Sequence, residues 1–111
     1  MLEALRSVEF LSGTTLRQGA GVIVLETSRA FGGDSSYFYV GGYQLIHDTL
    51  KADVKVTHYF GPTISVFGPR QQFTLKLEGK IAEHTFSLHG YLVEQPELKI
   101  TVQLTKRADL P

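Results

Sequence analysis

The 111-residue sequence contains no cysteine and no tryptophan, and it has no excess of charge of either sign. The absence of cysteine excludes disulfide bridges, thiolate nucleophiles and zinc sites built from thiolates, and it fits a reducing compartment. Eleven acidic residues balance eleven basic ones, whereas a dedicated nucleic-acid binder normally has a basic excess that neutralises phosphates. We therefore expect no direct contact with nucleic acid.

Long apolar runs are also missing, which bears on targeting and on membrane contact. The longest apolar stretches are a few residues long, well short of the ~20 residues that span a bilayer. Glu3 and Glu9 interrupt the amino-terminal stretch where a signal peptide needs an apolar core. We therefore predict a cytoplasmic protein without a membrane contact, folded as one domain over 1–111 with a core over about 4–104.

Alternation of apolar and polar residues is the main pattern in the sequence. In 73–81 every odd position is apolar or glycine and every even position is polar, and 98–104 shows the same alternation. Such a period of two is typical of half-buried antiparallel strands. Further strands are predicted over 4–12, 19–26, 35–43, 53–60 and 83–93, whereas 43–49 fits either a strand or one helical turn.

Glycine and proline divide these strands at short intervals. Breaks are predicted at Gly32–Asp34, Gly41–Gly42, Gly61–Pro62, Gly68–Pro69 and Gln95–Pro96. Gly42, Gly79 and Gly90 fall inside strands, where glycine often marks the bends of strongly curled sheets. The sequence therefore favours an all-β fold, a small antiparallel β-barrel of about eight strands, over a sandwich. A barrel of this size is filled by its own side chains or holds one small ligand.

Three ionisable side chains are candidates for polar groups inside such a barrel. His58 and His84 fall on apolar faces of predicted strands, and Glu9 alternates in step with apolar Leu5 and Leu11. Each could anchor a ligand in a cavity, and a histidine there could also act as a general base. The simpler alternatives are core histidines bonded to backbone or hydroxyl partners and a glutamate on the surface.

A group of tyrosines is the densest aromatic feature. Tyr37, Tyr39 and Tyr43 share one strand face by parity. Because a buried phenol needs a hydrogen-bond partner, tyrosines favour half-wet places such as interfaces and cavity mouths. We predict a dimer surface here, with a ligand wall or ordinary sheet packing as alternatives.

The sequence holds no recognisable catalytic or metal-binding motif. The four histidines have no metal-ligand spacing, no Gly-x-Ser-x-Gly elbow occurs, and the glycines at 32–33 lack the lysine and the helix of a phosphate-binding loop. We therefore predict no catalytic residue, no metal and no cofactor, and expect that the protein is not an enzyme. A histidine–carboxylate pair in the barrel mouth is the catalytic alternative.

Several short motifs follow one another in the sequence: Gly32-Gly33-Asp34-Ser35, then Tyr39-x-Gly41, then a strand that ends Val54-Lys-Val-Thr-His58-Tyr59. Together they resemble the GrlR family of bacterial regulators. Gly19 and Gly21 at the start of the second strand, and the succession of 73–81 and 84–93, fit the same family. The resemblance covers roughly residues 4–104. It implies a lipocalin-like, eight-stranded barrel that forms homodimers and has no catalytic activity.

The family also implies a partner. Its best-known member is a negative regulator of type III secretion that sequesters a transcriptional activator through an acidic Glu-Asp-Glu-Asp loop. The matching stretch here, about Gln44–Asp53, contains His47, Asp48, Lys51 and Asp53. We take these four residues as the candidate partner loop, although only two of them are acids, so the family's acidic patch is missing.

Two functions therefore remain from the sequence. The first is a regulator that binds another protein, such as a transcriptional regulator, and acts as a homodimer. The second is a carrier or sensor of a small apolar ligand held in the barrel interior. Whether side chains fill that interior discriminates between them.

Overall fold

The computed structural model of the chain describes residues 2–12, 18–63, 65 and 67–111. In these ranges it contains no helix and eight strands: β1 Ala4–Ser12, β2 Gln18–Glu26, β3 Arg29–Gly33, β4 Tyr37–Ile46, β5 Thr49–His58, β6 Gln72–Lys80, β7 Thr85–Leu92 and β8 Gln95–Ala108. Accordingly, the described chain offers no helix that could cross a membrane.

The strands form one closed antiparallel barrel. Each strand pairs with its neighbour in sequence, and β1 closes the ring by pairing with β8, with Val8 opposite Leu104. Closure gives each of the eight described strands two neighbours, so none of them is an edge strand. The predicted all-β fold, a small antiparallel barrel of eight strands, is confirmed.

Alternating side chains point into the barrel, as the period of two requires. Val54 and Val56 on β5 are buried, while Lys51, Asp53 and Lys55 between and before them are exposed. The odd positions 73, 75 and 77 of β6 and the even positions 100, 102 and 104 of β8 are likewise buried. The inward faces predicted for these strands are therefore correct.

Glycines inside the strands allow neighbouring backbones to approach closely. A Cβ atom at Gly90 would collide with the carbonyl oxygen of Lys76, and one at Gly79 with that of Ser87. These contacts lie on the β6–β7 side of the ring, where the two strands share only four register pairs. The glycines thus serve the tight curvature that the sequence predicted for them.

Two tight turns differ from the predicted breaks. Thr27 and Ser28 join β2 to β3 with φ of 47° and 66°, the backbone of a type I′ hairpin turn. His47 and Asp48 join β4 to β5, with φ of 58° at His47. Strands therefore flank this second turn, and the helical alternative for 43–49 is wrong.

The remaining boundaries shift by a few residues. The glycines at 32–33 end strand β3 rather than forming a break, and 41–42 lie within β4. Strand β8 begins at Gln95 and runs to Ala108, so the barrel extends beyond the predicted core limit of 104. Most of the predicted β1–β2 turn, residues 13–17, lies outside the described residues.

The up-and-down order gives the barrel two distinct ends. We call the end with the β3–β4, β5–β6 and β7–β8 connections the mouth. The opposite end carries residue Ala4 and the β2–β3, β4–β5 and β6–β7 connections, and we call it the closed end.

Candidate functional site

The barrel encloses a cavity of about 650 Å³ that extends to the mouth. This volume lies within the range of about 300 to 1,000 Å³ typical of small-molecule sites. Most of its wall is aliphatic or aromatic, and Ser35 at its rim is exposed to solvent. The main apolar wall residues are Val8, Phe10, Ile23, Leu25, Ala30, Leu50, Ala52, Val54, Val56, Phe67, Phe73, Leu75, Leu77, Leu88, Ile100, Val102 and Leu104.

Small inward side chains leave this space open. Ala30 and Ala52 are buried and line the cavity, together with the valines of β5. An alanine in an inward position leaves unfilled the volume that a leucine or phenylalanine would occupy. The cavity is thus a consequence of small side chains at inward positions of β3 and β5.

Asp34 is the centre of a polar cluster at the mouth. Its Oδ1 accepts hydrogen bonds from the backbone N–H groups of Ser36 and Tyr37, each at 2.8 Å. Its Oδ2 accepts a short hydrogen bond from the hydroxyl of Tyr39, and its backbone carbonyl accepts one from the hydroxyl of Tyr59 at 2.6 Å. The β3–β4 turn is therefore held to the chain that follows β5.

Tyr37 forms a second polar connection at the mouth. Its hydroxyl donates to the backbone carbonyl of Arg70 at 2.6 Å. The guanidinium of Arg70 in turn donates to Oε1 of Gln95 at 2.7 Å, while its buried Nε has no partner among the described residues. Tyr37 thus joins β4 to the segment that precedes β6.

Aromatic rings build the wall below these polar groups. The rings of Phe10 and Tyr39 meet edge to face, with centroids 6.3 Å apart. Phe67 and Phe73 do the same at 5.5 Å, and Tyr37 packs against Phe73 at 6.0 Å. Such geometry is the favoured one for aromatic pairs, so the mouth has rigid apolar walls under a polar rim.

A buried arginine lies near the closed end of the barrel. Arg6 is fully buried, and its guanidinium lies over the ring of Phe86 at 5.0 Å. Its Nε and one terminal nitrogen donate to the carbonyl oxygens of Leu2 and His84 at 3.3 and 3.4 Å. Neither Arg6 nor Phe86 lines the cavity. We call this buried pair the floor of the barrel.

Burial changes the acid–base properties of both ends. Desolvation raises the pKa of Tyr39, and the neighbouring Asp34 carboxylate raises it further. Desolvation also raises the pKa of Tyr37, and it lowers the pKa of Arg6. In each case the charged form is disfavoured because water is excluded.

The structure corrects the three predicted cavity groups. Glu9 is exposed, because the even positions of β1 point inward and it occupies an odd one. His84 is exposed because β7 begins only at Thr85. His58 is half-buried, and its Nε2 donates to the carbonyl oxygen of Gly61 at 2.7 Å. None of the three lines the cavity.

The structure also corrects the predicted dimer surface. Tyr37 and Tyr39 do share a face, but that face points into the barrel, and both side chains are buried and line the cavity. Tyr43 is partly buried against the core. The apolar residues that β4 exposes are instead Phe38 and Val40, 42% and 55% exposed.

The candidate partner loop is not a loop. His47 and Asp48 form the two-residue turn between β4 and β5, and Lys51 and Asp53 project outward from β5. The positive φ at His47 is the left-handed conformation that a tight turn between two strands requires.

Both acids of this region sit beside lysines. Asp48 pairs with Lys80 at 3.4 Å and Asp53 with Lys76 at 3.8 Å. The exposed charges are therefore mixed in sign at the place where the family's acidic loop would lie.

Asp34 was predicted only as part of a turn, and Arg6 was not among the predicted site residues. For Asp34, the spacing to Ser36 and Tyr37 fits an aspartate that accepts backbone hydrogen bonds within its own turn. For Arg6, the alternation of Ala4, Arg6 and Val8 places a charged residue in an inward register. Such a position is unusual enough to mark a buried arginine.

No catalytic arrangement is evident in the described part of the chain. It contains no group of three histidine or acidic side chains placed to hold a metal ion. Among its hydrogen bonds, none joins a histidine to a carboxylate; His58 bonds a carbonyl group and His89 bonds the hydroxyl of Thr101. The prediction that the protein is not an enzyme stays a prediction.

Comparison of the chain with protein-family models and with curated proteins gave no match. The resemblance to the GrlR family therefore remains a prediction from short motifs, and the function has to be argued from the geometry of the barrel.

Proposed function

We propose that the protein binds a small, largely apolar molecule inside the barrel and acts as its carrier or sensor. The observation that carries this proposal is the apolar cavity of about 650 Å³ open at the mouth. While the cavity is empty, its apolar wall lacks both the hydrophobic stabilisation of burial and the van der Waals contacts of close packing. A ligand that fills the space recovers both.

The two ends of the cavity support this function in different ways. Towards the closed end the wall is lined by buried apolar side chains such as Leu25 and Leu50, so an apolar group that reaches them is removed from water. At the mouth, the hydrogen bonds of Asp34 and Tyr37 fix the rim between strands. A pre-formed site of this kind loses little entropy when a ligand binds.

A cavity-filling substitution tests the proposal. N-phenylnaphthylamine, a neutral apolar dye whose fluorescence rises when it leaves water, is the probe. Ala52→Phe places a ring in the open space beside Val54, where overpacking is avoided because the volume is empty. We expect the wild type to bind the dye, and Ala52→Phe to bind it at least about tenfold more weakly, a loss of about 1.4 kcal/mol.

Lys51→Phe is the matched control. Lys51 is the preceding residue and points outward, so this variant adds the same ring without changing the cavity. It should bind the dye like the wild type. Equal dye binding by all three proteins would contradict the proposed site.

The outer face of the barrel favours a second candidate function, contact with another protein. Val22, Phe31, Phe38 and Val40 are exposed on adjacent strands β2, β3 and β4, and Phe31 lies directly opposite Val40. We call these four residues the outer apolar patch. Contiguous exposed apolar side chains often mark interaction sites. We propose a second copy of the chain as the partner, since a chain of zero net charge does not repel its copy.

Analytical ultracentrifugation tests this second candidate. Val40→Lys should shift a wild-type dimer to monomer, because a lysine would be buried against the patch of the other copy. Gln44→Lys, exposed on the same face of β4, is the control and should remain dimeric. A wild type that is monomeric at high concentration would contradict the candidate.

Sequestration of a transcriptional activator, the function implied by the GrlR resemblance, has weaker support. The ion pairs of Asp48 with Lys80 and of Asp53 with Lys76 balance the charge at the corresponding place. Electrostatic attraction of a basic activator needs an acidic surface.

A further inference from the structure

Three hydroxyl groups at the mouth donate their hydrogens to acceptors of the protein. The Tyr39 hydroxyl donates to the Asp34 carboxylate, and the Tyr37 hydroxyl donates to the carbonyl of Arg70. The Ser65 hydroxyl donates to the carbonyl of Gly68 at 2.8 Å. A hydroxyl has one hydrogen and two lone pairs. Once the hydrogen is used, the oxygen presents only acceptor capacity to a ligand.

The carboxylate of Asp34 adds a stronger acceptor at the same place. An ionised carboxylate has about four lone-pair positions, of which the protein fills three, two on Oδ1 and one on Oδ2. Asp34 lines the cavity, and none of the described lining residues is lysine, arginine or histidine. Ser35 and Ser36 also line it, but their hydroxyls rotate and can serve either role.

We infer that the ligand is an amphiphile with an apolar body and a hydrogen-donating head, best a primary ammonium group, which lies at Asp34 and the hydroxyl oxygen of Tyr39. This inference rests on the proposed ligand-binding function and adds the chemistry of the head group. A charge-assisted hydrogen bond to a carboxylate is about twice as strong as a neutral one. An anionic head would meet a negative charge and lone pairs instead.

The two arginines of the barrel interior and rim do not reverse this preference. Arg6 lies in the floor and is not part of the cavity wall. Arg70 also lies outside the wall. Its Nη2 donates to Gln95, and its buried Nε, which has no partner among the described residues, belongs to a side chain that does not line the cavity. An acidic head group, such as that of a fatty acid, therefore has no described cation facing it in the cavity.

Competition with N-phenylnaphthylamine by three amphiphiles of equal chain length tests the inference. The competitors are dodecylamine, dodecanol and dodecanoate, used below the concentrations at which they self-associate. Their tails are identical, so differences in affinity report the head group. We expect dodecylamine to bind about tenfold more tightly than dodecanoate, with dodecanol between them.

Asp34→Asn tests how much the negative charge of the carboxylate contributes to binding of the head group. The amide keeps an oxygen for the N–H groups of Ser36 and Tyr37 but removes the negative charge that faces the ligand. We expect the advantage of the amine over the alcohol to fall to about one, mainly through weaker binding of the amine. Asp53→Asn is the matched control, since it removes an exposed acid on the outer face. It should retain the preference for the amine.

The possible outcomes distinguish a failure of the head-group inference from a failure of the proposed ligand-binding function. Equal or tighter binding of dodecanoate, blocked by Ala52→Phe, would overturn the head-group inference and leave the apolar site standing. A preference for the amine that Asp34→Asn retains would also overturn it. Failure of all three amphiphiles to displace the dye would contradict the proposed ligand-binding function together with the inference.

Discussion

The two ends of the barrel are built from the same alternating strands but are filled in opposite ways. At the closed end a fully buried arginine packs against a phenylalanine from the opposite part of the sequence. At the mouth, rings stand against the wall and polar atoms stand at the rim, so that the middle is left open. The comparison shows that one fold can make both a packed core and a cavity.

Residue size and hydrogen bonding explain this difference. Inward positions of β1 and β7 near the closed end carry Arg6 and Phe86, whereas inward positions of β3 and β5 carry Ala30 and Ala52. The long stem of Arg6 packs as an apolar group while its guanidinium binds carbonyl oxygens. We therefore expect the closed end to contribute more to stability and the mouth to contribute more to ligand binding.

The largest change in the free energy of unfolding is expected from substitution of Arg6 in the floor. Arg6→Ala removes a buried side chain and leaves the carbonyl oxygens of Leu2 and His84 without this donor. The free energy of unfolding should fall by about 3 kcal/mol, as measured by urea denaturation. Arg6→Met keeps a long apolar stem and should lose about half as much.

Phe67→Ala is the comparison at the mouth. The Phe67 ring already borders the cavity, so its removal should cost less than the loss of Arg6. A larger cost for Phe67→Ala than for Arg6→Ala would contradict the assignment of the closed end as the stabilising one.

A smaller change in the free energy of unfolding, confined to alkaline pH, is expected from titration of Tyr39 at the mouth. Because burial raises the pKa of Tyr39 in the folded barrel above its ordinary value of 10.0, the unfolded chain releases this proton first as the pH rises. Titration of Tyr39 therefore leaves the free energy of unfolding unchanged below about pH 10 and lowers it above that pH. The slope for one such group is about 1.4 kcal/mol per pH unit.

Tyr39→Phe tests this pH dependence. The variant loses the hydrogen bond to Asp34, so it should be less stable at neutral pH by about 1 kcal/mol. Its stability should nevertheless decline less steeply than that of the wild type between about pH 10 and 11. Tyr91→Phe, beside Lys99 on the outer face, is the control. Identical slopes for wild type and Tyr39→Phe would show that Tyr39 is not held in its neutral form.

The smallest effect is a gain of stability at the β2–β3 turn of the closed end. Thr27 and Ser28 both have positive φ, which is costly for residues with a side chain, and most of all for a β-branched one. Replacing them with Asn and Gly, the pair that a type I′ turn prefers, should raise the free energy of unfolding by about 1 kcal/mol. Thermal unfolding of the double variant checks this, and a lower melting temperature would contradict the turn assignment.

Much of the fold could be predicted from the sequence because alternation is strong in the later strands. The inward positions of β6 and β8 follow directly from the pattern at 73–81 and 98–104. Strand β3 was missed for a physical reason. The turn before it contains Thr27 and Ser28 rather than glycine or asparagine, and the strand ends in two glycines.

The candidate site was less predictable. Parity places Tyr37 and Tyr39 on one face, but it does not say whether that face points inward or outward when both neighbouring faces carry apolar residues, as Phe38 and Val40 do. The position of Asp34 at the cavity rim depends on how the strands close around the ring. Ring closure is a long-range property that local patterns do not contain.

The most direct test of an open, ligand-binding interior is an NMR titration of the methyl groups with dodecylamine. Methyl groups of Val54, Leu75 and Ile100, which line the cavity, should shift and saturate together. Those of Val22 and Val40 on the outer face should not move. Shifts confined to the outer face, or no shifts at any concentration, would contradict a ligand site inside the barrel.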